Sequence, residues 1–114
     1  MKKVIKMFQL FQSKVATMPM SQAKTELEKD SSIKLIDVRT PQEYQSGHIK
    51  GSINVPLDHA QEIEEIVSDK NEKIFVYCLS GGRSQQASNY FSKLGYTDIT
   101  NIGGIASWTG DLAR

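Results

Sequence analysis

What this 114-residue chain lacks narrows the possibilities first. It holds a single cysteine, so no disulfide and no redox pair can form within it. No ligand-rich cluster suggests zinc, and neither a metal nor another cofactor is expected. Charge nearly cancels, with 14 Lys and Arg against 13 Asp and Glu, so no broad field favours nucleic acid or an acidic partner. No stretch approaches the roughly 18 apolar residues of a membrane span. No internal repeat, low-complexity tract or Pro/Gly/Ser-rich linker divides the chain, which leaves one domain with one modest core.

The N-terminus carries the basic cluster of Lys2, Lys3, Lys6 and Lys14. Lys6, Gln9, Gln12 and Lys14 break up its apolar residues, so no run of signal-peptide length exists. Val4, Phe8, Phe11 and Val15 fall at helical spacing and predict a short amphipathic helix. Residues 1–16 are read as this N-terminal segment, residues 17–114 as the folded domain, and the cytoplasm as the expected compartment.

What is present is an alternation of strand-like and helix-like segments. Met20, Ala23 and Leu27 share one face of a helix beginning near Pro19, and residues 33–38 read as a strand. Thr40-Pro41-Gln42-Glu43 is a capping box opening a short helix that stops near Gly47. Residues 52–55 form a second strand, closed by Pro56. Ala60, Ile63 and Val67 make a helical stripe beside the solvated acids Glu62, Glu64 and Glu65. Ile74-Phe75-Val76-Tyr77 is a continuous apolar run, as in a strand buried on both faces. Ala87, Tyr90, Phe91 and Leu94 mark the clearest helix, ending with Lys93 and Gly95, and residues 99–102 form a last strand. This order implies an α/β domain whose sheet is mainly parallel and covered on both faces.

In such folds ligands bind beyond the carboxyl ends of strands. Cys78 ends the most apolar strand, and Asp37 lies near the end of another. After the strand come Leu79, Ser80, Gly81, Gly82, Arg83 and Ser84, and then the strongest helix. Adjacent glycines let several N–H groups converge, and a helix N-terminus behind them favours an anion. Arg83 adds a permanent charge with forked donors, and Ser84 is placed to cap the helix. A cysteine here is expected to have a lowered pKa and to act as a thiolate nucleophile with its own anion hole.

These residues resemble the rhodanese family of thiosulfate sulfurtransferases. Asp37-Val38-Arg39 with Thr40 to Tyr44 is similar to its first motif, and Gly47 to Pro56 to its second. Tyr77-Cys78 with Gly81 to Ser84 matches its active-site loop, and Gly103-Gly104 with Trp108 its C-terminal motif. The match spans about residues 17 to 113 in family order. The resemblance implies about five mainly parallel strands with helices on both faces, and a double displacement. Cys78 would take sulfane sulfur from thiosulfate or another small anionic persulfide-type donor, then pass it to cyanide, an external thiol or a protein. Amides from Leu79 to Ser84 would cradle the persulfide, and Arg83 would bind the donor.

Asp37 is expected to contact the loop or to serve in a structural hydrogen bond. Arg39 and Glu43 are read as an ion pair fixing the capped helix, and His48 as ordering the turn after it. His59 is read as a surface residue, and Trp108 as closing the core. A second reading is a persulfide carrier that serves a dedicated partner with little thiosulfate turnover. The third, a cysteine-dependent phosphatase or arsenate reductase, is disfavoured because those proteins place one residue more between cysteine and arginine. The shorter loop leaves a cradle sized for one terminal sulfur.

Overall fold

The computed structural model describes residues 15–114. The order is β1 (Val15–Thr17), α1 (Met20–Lys29), β2 (Lys34–Asp37), α2 (Pro41–Gln45), β3 (His48–Ile49) and β4 (Ile53–Asn54). A 3₁₀ stretch (Leu57–Glu62) then runs into one helical turn, α3 (Ile63–Ile66). After it come β5 (Lys73–Cys78), α4 (Gly82–Lys93), β6 (Asp98–Gly104) and β7 (Leu112–Ala113). Five strands form one sheet in the order β1-β6-β5-β2-β4, with every pairing parallel. β3 and β7 pair antiparallel in a separate ribbon. The expected α/β fold with five parallel strands is the one observed.

Its fifth strand comes from a place the periodicity misjudged. Val15, read as the last residue of a helical stripe, opens β1 and lies opposite Ile99 of β6. Strand pairing gives residues 15–17 ladder partners along β6, and that tertiary context overrides a four-residue helical pattern. The sheet therefore begins two residues before the boundary read at residue 17. Val4, Phe8 and Phe11 lie outside the described residues. A second difference is the stretch after Pro56, which is mostly 3₁₀ and kinked at His59, although Ala60, Ile63 and Val67 are all buried as the stripe required.

The pleat of β5 organises the core. Ile74, Val76 and Cys78 point to one face, where they pack with Ala87 and Phe91 of α4. Phe75 and Tyr77 point to the other, with Met20 and Ala23 of α1. This period of two assigns each strand residue to one helical layer. Ile74, Phe75 and Val76 are each no more than 1% exposed, and such burial stabilises by roughly 1.5–3 kcal/mol per side chain. The capping box at α2 forms as read: Thr40 Oγ1 accepts from Glu43 N at 3.2 Å, and Glu43 Oε1 accepts from Thr40 N at 2.9 Å.

On the α1 side, the buried Tyr77 hydroxyl ties the small ribbon to the sheet. It accepts the Ile49 N–H at 3.0 Å and shares a hydrogen bond with Ser52 Oγ at 3.1 Å. Tyr77→Phe keeps the ring but orphans a buried N–H, so unfolding free energy is expected to fall by roughly 1–3 kcal/mol. Urea denaturation checks this, and an unchanged midpoint would show that the hydroxyl is not a tie.

Candidate active site

Cys78 is the last residue of β5, on the face that α4 covers. The chain leaves the strand, turns through Leu79 to Gly81 and enters α4 at once, so the helix N-terminus comes back over the sulfur. Gly81 permits the reversal: its φ of +109° is left-handed backbone, which costs an L-residue energy. Gly81 is also the N-cap residue, and its N–H donates to Cys78 Sγ at 2.9 Å. Ser84, read as the cap, sits deeper in the first turn. Its Oγ lies 3.0 Å from the Gly81 carbonyl and 2.7 Å from Asn101 Oδ1, and satisfies no helix N–H.

Cys78 is 1% exposed. Burial pushes its thiol up, but hydrogen bonds from the Ser84 hydroxyl and the amides of Ser84, Gly81 and Ser80 outweigh it. The thiol therefore lies below its ordinary value. Neutral dipoles do this work at the sulfur itself.

The loop rests on β6. Cys78 lies opposite Gly104, and a β-bulge shifts the β5–β6 register just before this pair. A Cβ at Gly104 would sit 2.3 Å from the Leu79 carbonyl oxygen and 2.9 Å from Ser80 Cα. Only glycine lets the loop backbone lie so close. On the opposite side the loop presents Leu79, which is 50% exposed.

The charged residues pair differently from the sequence reading. Arg39 does not meet Glu43. Its guanidinium grips Asp37, with Nη2 to Oδ2 at 2.8 Å, and also donates to the Gly47 carbonyl at 2.8 Å. Asp37 lies opposite Tyr77 in register, on the α1 face, so the pleat turns it away from the loop. Its contacts hold the chain reversal after β2. Glu43 instead takes Arg83 bidentately, at 2.7 and 3.0 Å. The Arg83 hydrogen bonds hold the Glu43 carboxyl down at about 2, although burial opposes them. Arg83 is thus already partnered at the rim, where it lines a hollow of about 270 Å³ with Val38, Thr40, Pro56, Leu57 and Asp58.

The remaining candidates fall where the sequence put them. His48 Nδ1 is 2.8 Å from the Tyr44 carbonyl and the two rings stack, which orders the turn. His59 is on the surface, and Trp108 packs against the α1-side core. A larger hollow of about 500 Å³ lies beside α1 and Trp108 and includes no residue of the loop. Asn101 and the role of Gly104 escaped the sequence reading. The available signal was Asn101 standing in phase with the apolar Ile99, on the same face of the strand.

Comparison with known proteins agrees with this geometry. The family model of the rhodanese-like domain matches residues 20–111. The thiosulfate sulfurtransferase PspE of Escherichia coli is 46% identical over 71 residues, covering 61% of this chain and 68% of that protein. YrkF of Bacillus subtilis, provisionally named a sulfur carrier protein, is 34% identical over 90 residues, which cover 76% of this chain and 47% of that protein. Among solved structures, a rhodanese with anions from E. coli superposes with a TM-score of 0.69 at 38% identity. It covers 72% of this chain and 98% of that one.

Seating the loop on Gly104 has a direct consequence. Gly104→Ala drives a methyl into the Leu79 backbone, and overpacking of this kind costs roughly 1–3 kcal/mol. The thiolate fraction of Cys78 at neutral pH is expected to fall with it, because the displaced amides no longer converge on Sγ. Denaturation and an ultraviolet thiol titration test both effects, and an unaltered titration would show that the loop does not depend on Gly104.

Proposed function

The chain belongs to the rhodanese-like domain family, and from that premise we propose that it is a sulfurtransferase carrying sulfane sulfur as a persulfide on Cys78. The observation that supports this best is the sulfur's setting: a buried thiol with a lowered pKa, the Gly81 N–H 2.9 Å from Sγ, at the start of a helix.

The chemistry follows from that setting. The Cys78 thiolate attacks the outer sulfur of thiosulfate, forming an Sγ–S bond. The donor's S–S bond breaks, and its electron pair leaves with sulfite. The negative charge passes from Sγ to the new terminal sulfur, within reach of the amides of Leu79 to Ser84. In the second step a nucleophile such as cyanide or the thiolate of a small molecule or protein takes the terminal sulfur, and the electron pair of the Sγ–S bond returns to Sγ. No proton, oxidant or cofactor enters either step. The neutral amide dipoles are already oriented, so they stabilise the moving charge without reorganising.

Arg83 takes a modified role. Its charge is neutralised by Glu43 at rest, so an anionic donor gains from it by sharing the guanidinium with that carboxylate. Leu79, exposed at the loop crest, supports a second reading in which a protein partner docks there and Cys78 acts as a carrier.

Intact-protein mass spectrometry after incubation with thiosulfate is the direct test. Wild-type protein is expected to gain one sulfur atom and the Cys78→Ser variant none, and a gain on the variant would end this mechanism. If the wild type gains sulfur but turns over poorly with cyanide, the carrier reading replaces the enzyme reading. Steady-state kinetics tests the rim: Arg83→Ala is expected to raise the thiosulfate KM severalfold, and Glu43→Gln to lower it by freeing the guanidinium. Equal KM values in all three proteins would remove Arg83 from donor binding.

A further inference from the structure

One buried polar side chain outside the loop reaches the thiol through an intermediary. Asn101 of β6 is 9% exposed, and its partners fix the orientation of its amide. Oδ1 accepts the Gly103 N–H at 3.0 Å, while Nδ2 donates to Gln85 Oε1 at 3.0 Å. Turned over, the amide would set NH₂ against the Gly103 N–H, donor facing donor. Oδ1 is therefore an acceptor, and it lies 2.7 Å from Ser84 Oγ.

Ser84 has one hydroxyl hydrogen and three acceptors within reach. They are Asn101 Oδ1 at 2.7 Å, the Gly81 carbonyl at 3.0 Å and Cys78 Sγ at 3.4 Å. A single hydrogen cannot serve them all. While Cys78 is a thiol, its S–H has Ser84 Oγ as acceptor, and the hydroxyl hydrogen goes to its nearest partner, Asn101. Once Sγ is ionised it competes as a charged acceptor, and charge-assisted hydrogen bonds are about twice as strong as neutral ones. The hydroxyl then turns to the sulfur. Asn101 Oδ1 keeps the Gly103 N–H, so nothing is orphaned by the turn.

We propose that Asn101 is a positioning residue for sulfur transfer, holding the Ser84 hydroxyl hydrogen whenever Cys78 Sγ is uncharged and releasing it when Sγ is a thiolate. The proposal rests on Cys78 being the nucleophile that forms the persulfide. In the first step charge moves from Sγ to the terminal sulfur, Sγ becomes a neutral bridging atom, and the hydrogen returns to Asn101. When the acceptor removes the terminal sulfur, Sγ regains its charge and the hydrogen swings back. Competition from Asn101 also limits how far the thiolate is stabilised. That matters because a thiolate's nucleophilicity falls as its pKa falls.

The charged groups at this end of the sheet are Arg83 with Glu43 on the α2 side and, turned to the α1 face, Asp37 with Arg39. Neither pair hydrogen-bonds Ser84 or Asn101, so substitution there leaves them in place.

The test is an ultraviolet titration of the only thiol in wild type, Asn101→Ala, Ser84→Ala and the double variant, each corrected by its own Cys78→Ser counterpart. Asn101→Ala is expected to raise the thiol's ionisation constant by about threefold or more, the size of one redirected hydrogen bond. Ser84→Ala is expected to lower the constant, and the double variant to match Ser84→Ala, because Asn101 acts only through the hydroxyl. No change in Asn101→Ala, or the same change with and without the hydroxyl, overturns the proposal. Should Asn101→Ala fail to fold, Asn101→Asp keeps the acceptor for Gly103 and strengthens the pull on the Ser84 hydrogen. It is expected to lower the constant, and a constant that stays put or rises overturns the proposal equally. The titration uses no sulfur donor, so its outcome is independent of whether thiosulfate loads the protein.

Discussion

On the proposed mechanism, a sulfur anion at the carboxyl end of β5 must keep its charge almost without water. Cys78 is 1% exposed, and an ion moved into such a place without partners titrates to its neutral form. The surrounding structure is a response to that constraint. Donors have to be built from backbone, they have to converge on one atom, and they have to be held there when the charge moves. A helix starting directly after the strand supplies the amides, and Gly81 supplies the left-handed residue that brings them round. Gly104 supplies the empty space in which the loop lies on β6.

The same constraint explains why the full charges stand off from the sulfur. Arg83, a few residues along from Cys78, is paired with Glu43, with both side chains about 30% exposed. A pair so open to solvent is worth about 1 kcal/mol or less for stability. Its structural effect is to hold an arginine at the rim, where the proposed mechanism needs a charge to meet an anionic donor. Stabilisation at Sγ is left to neutral dipoles, which need no counter-ion and, on the proposed mechanism, would persist when the charge passes to a terminal sulfur.

Much of this was legible in the sequence, for reasons that differ by residue. The apolar run of β5 and the Ala87–Leu94 periodicity record burial, which composition reports directly. The capping box of α2 is a local motif whose partners lie three residues apart. Cys78, Gly81 and Ser84 stand within one turn, so their convergence needed no knowledge of distant chain. Of the pairings that went astray, Arg39 with Asp37 is local, whereas Glu43 with Arg83 is not. Whether Glu43 meets Arg39 or Arg83 depends on where α2 lies relative to α4, and nothing in either segment fixes that. Asn101 was missed because its importance comes from lying one strand away from Cys78. β1 was missed because three residues are too few to show a period, and the partner strand lies more than 80 residues on.

Strand parity decides which of the polar residues at this edge face the loop and α4. Cys78 and Asn101 point to the α4 face, while Asp37 and Tyr77, equally polar and equally close to the strand ends, point to the α1 face. The two sets hold separate networks. One converges on Sγ; the other ties Arg39, Gly47, Ile49 and Ser52 into the connection that supports the rim. A one-residue slip in β5 would exchange Cys78 with Tyr77 and turn the thiol toward α1, away from the loop amides. The bulge in β6 matters for the same reason, because it absorbs the extra residue on the strand that does not carry Cys78. Gly104 is thereby brought opposite Cys78 without disturbing the register of β5 against β2. Reactivity at this edge is thus set as much by the phase of the pleat as by the identity of the loop.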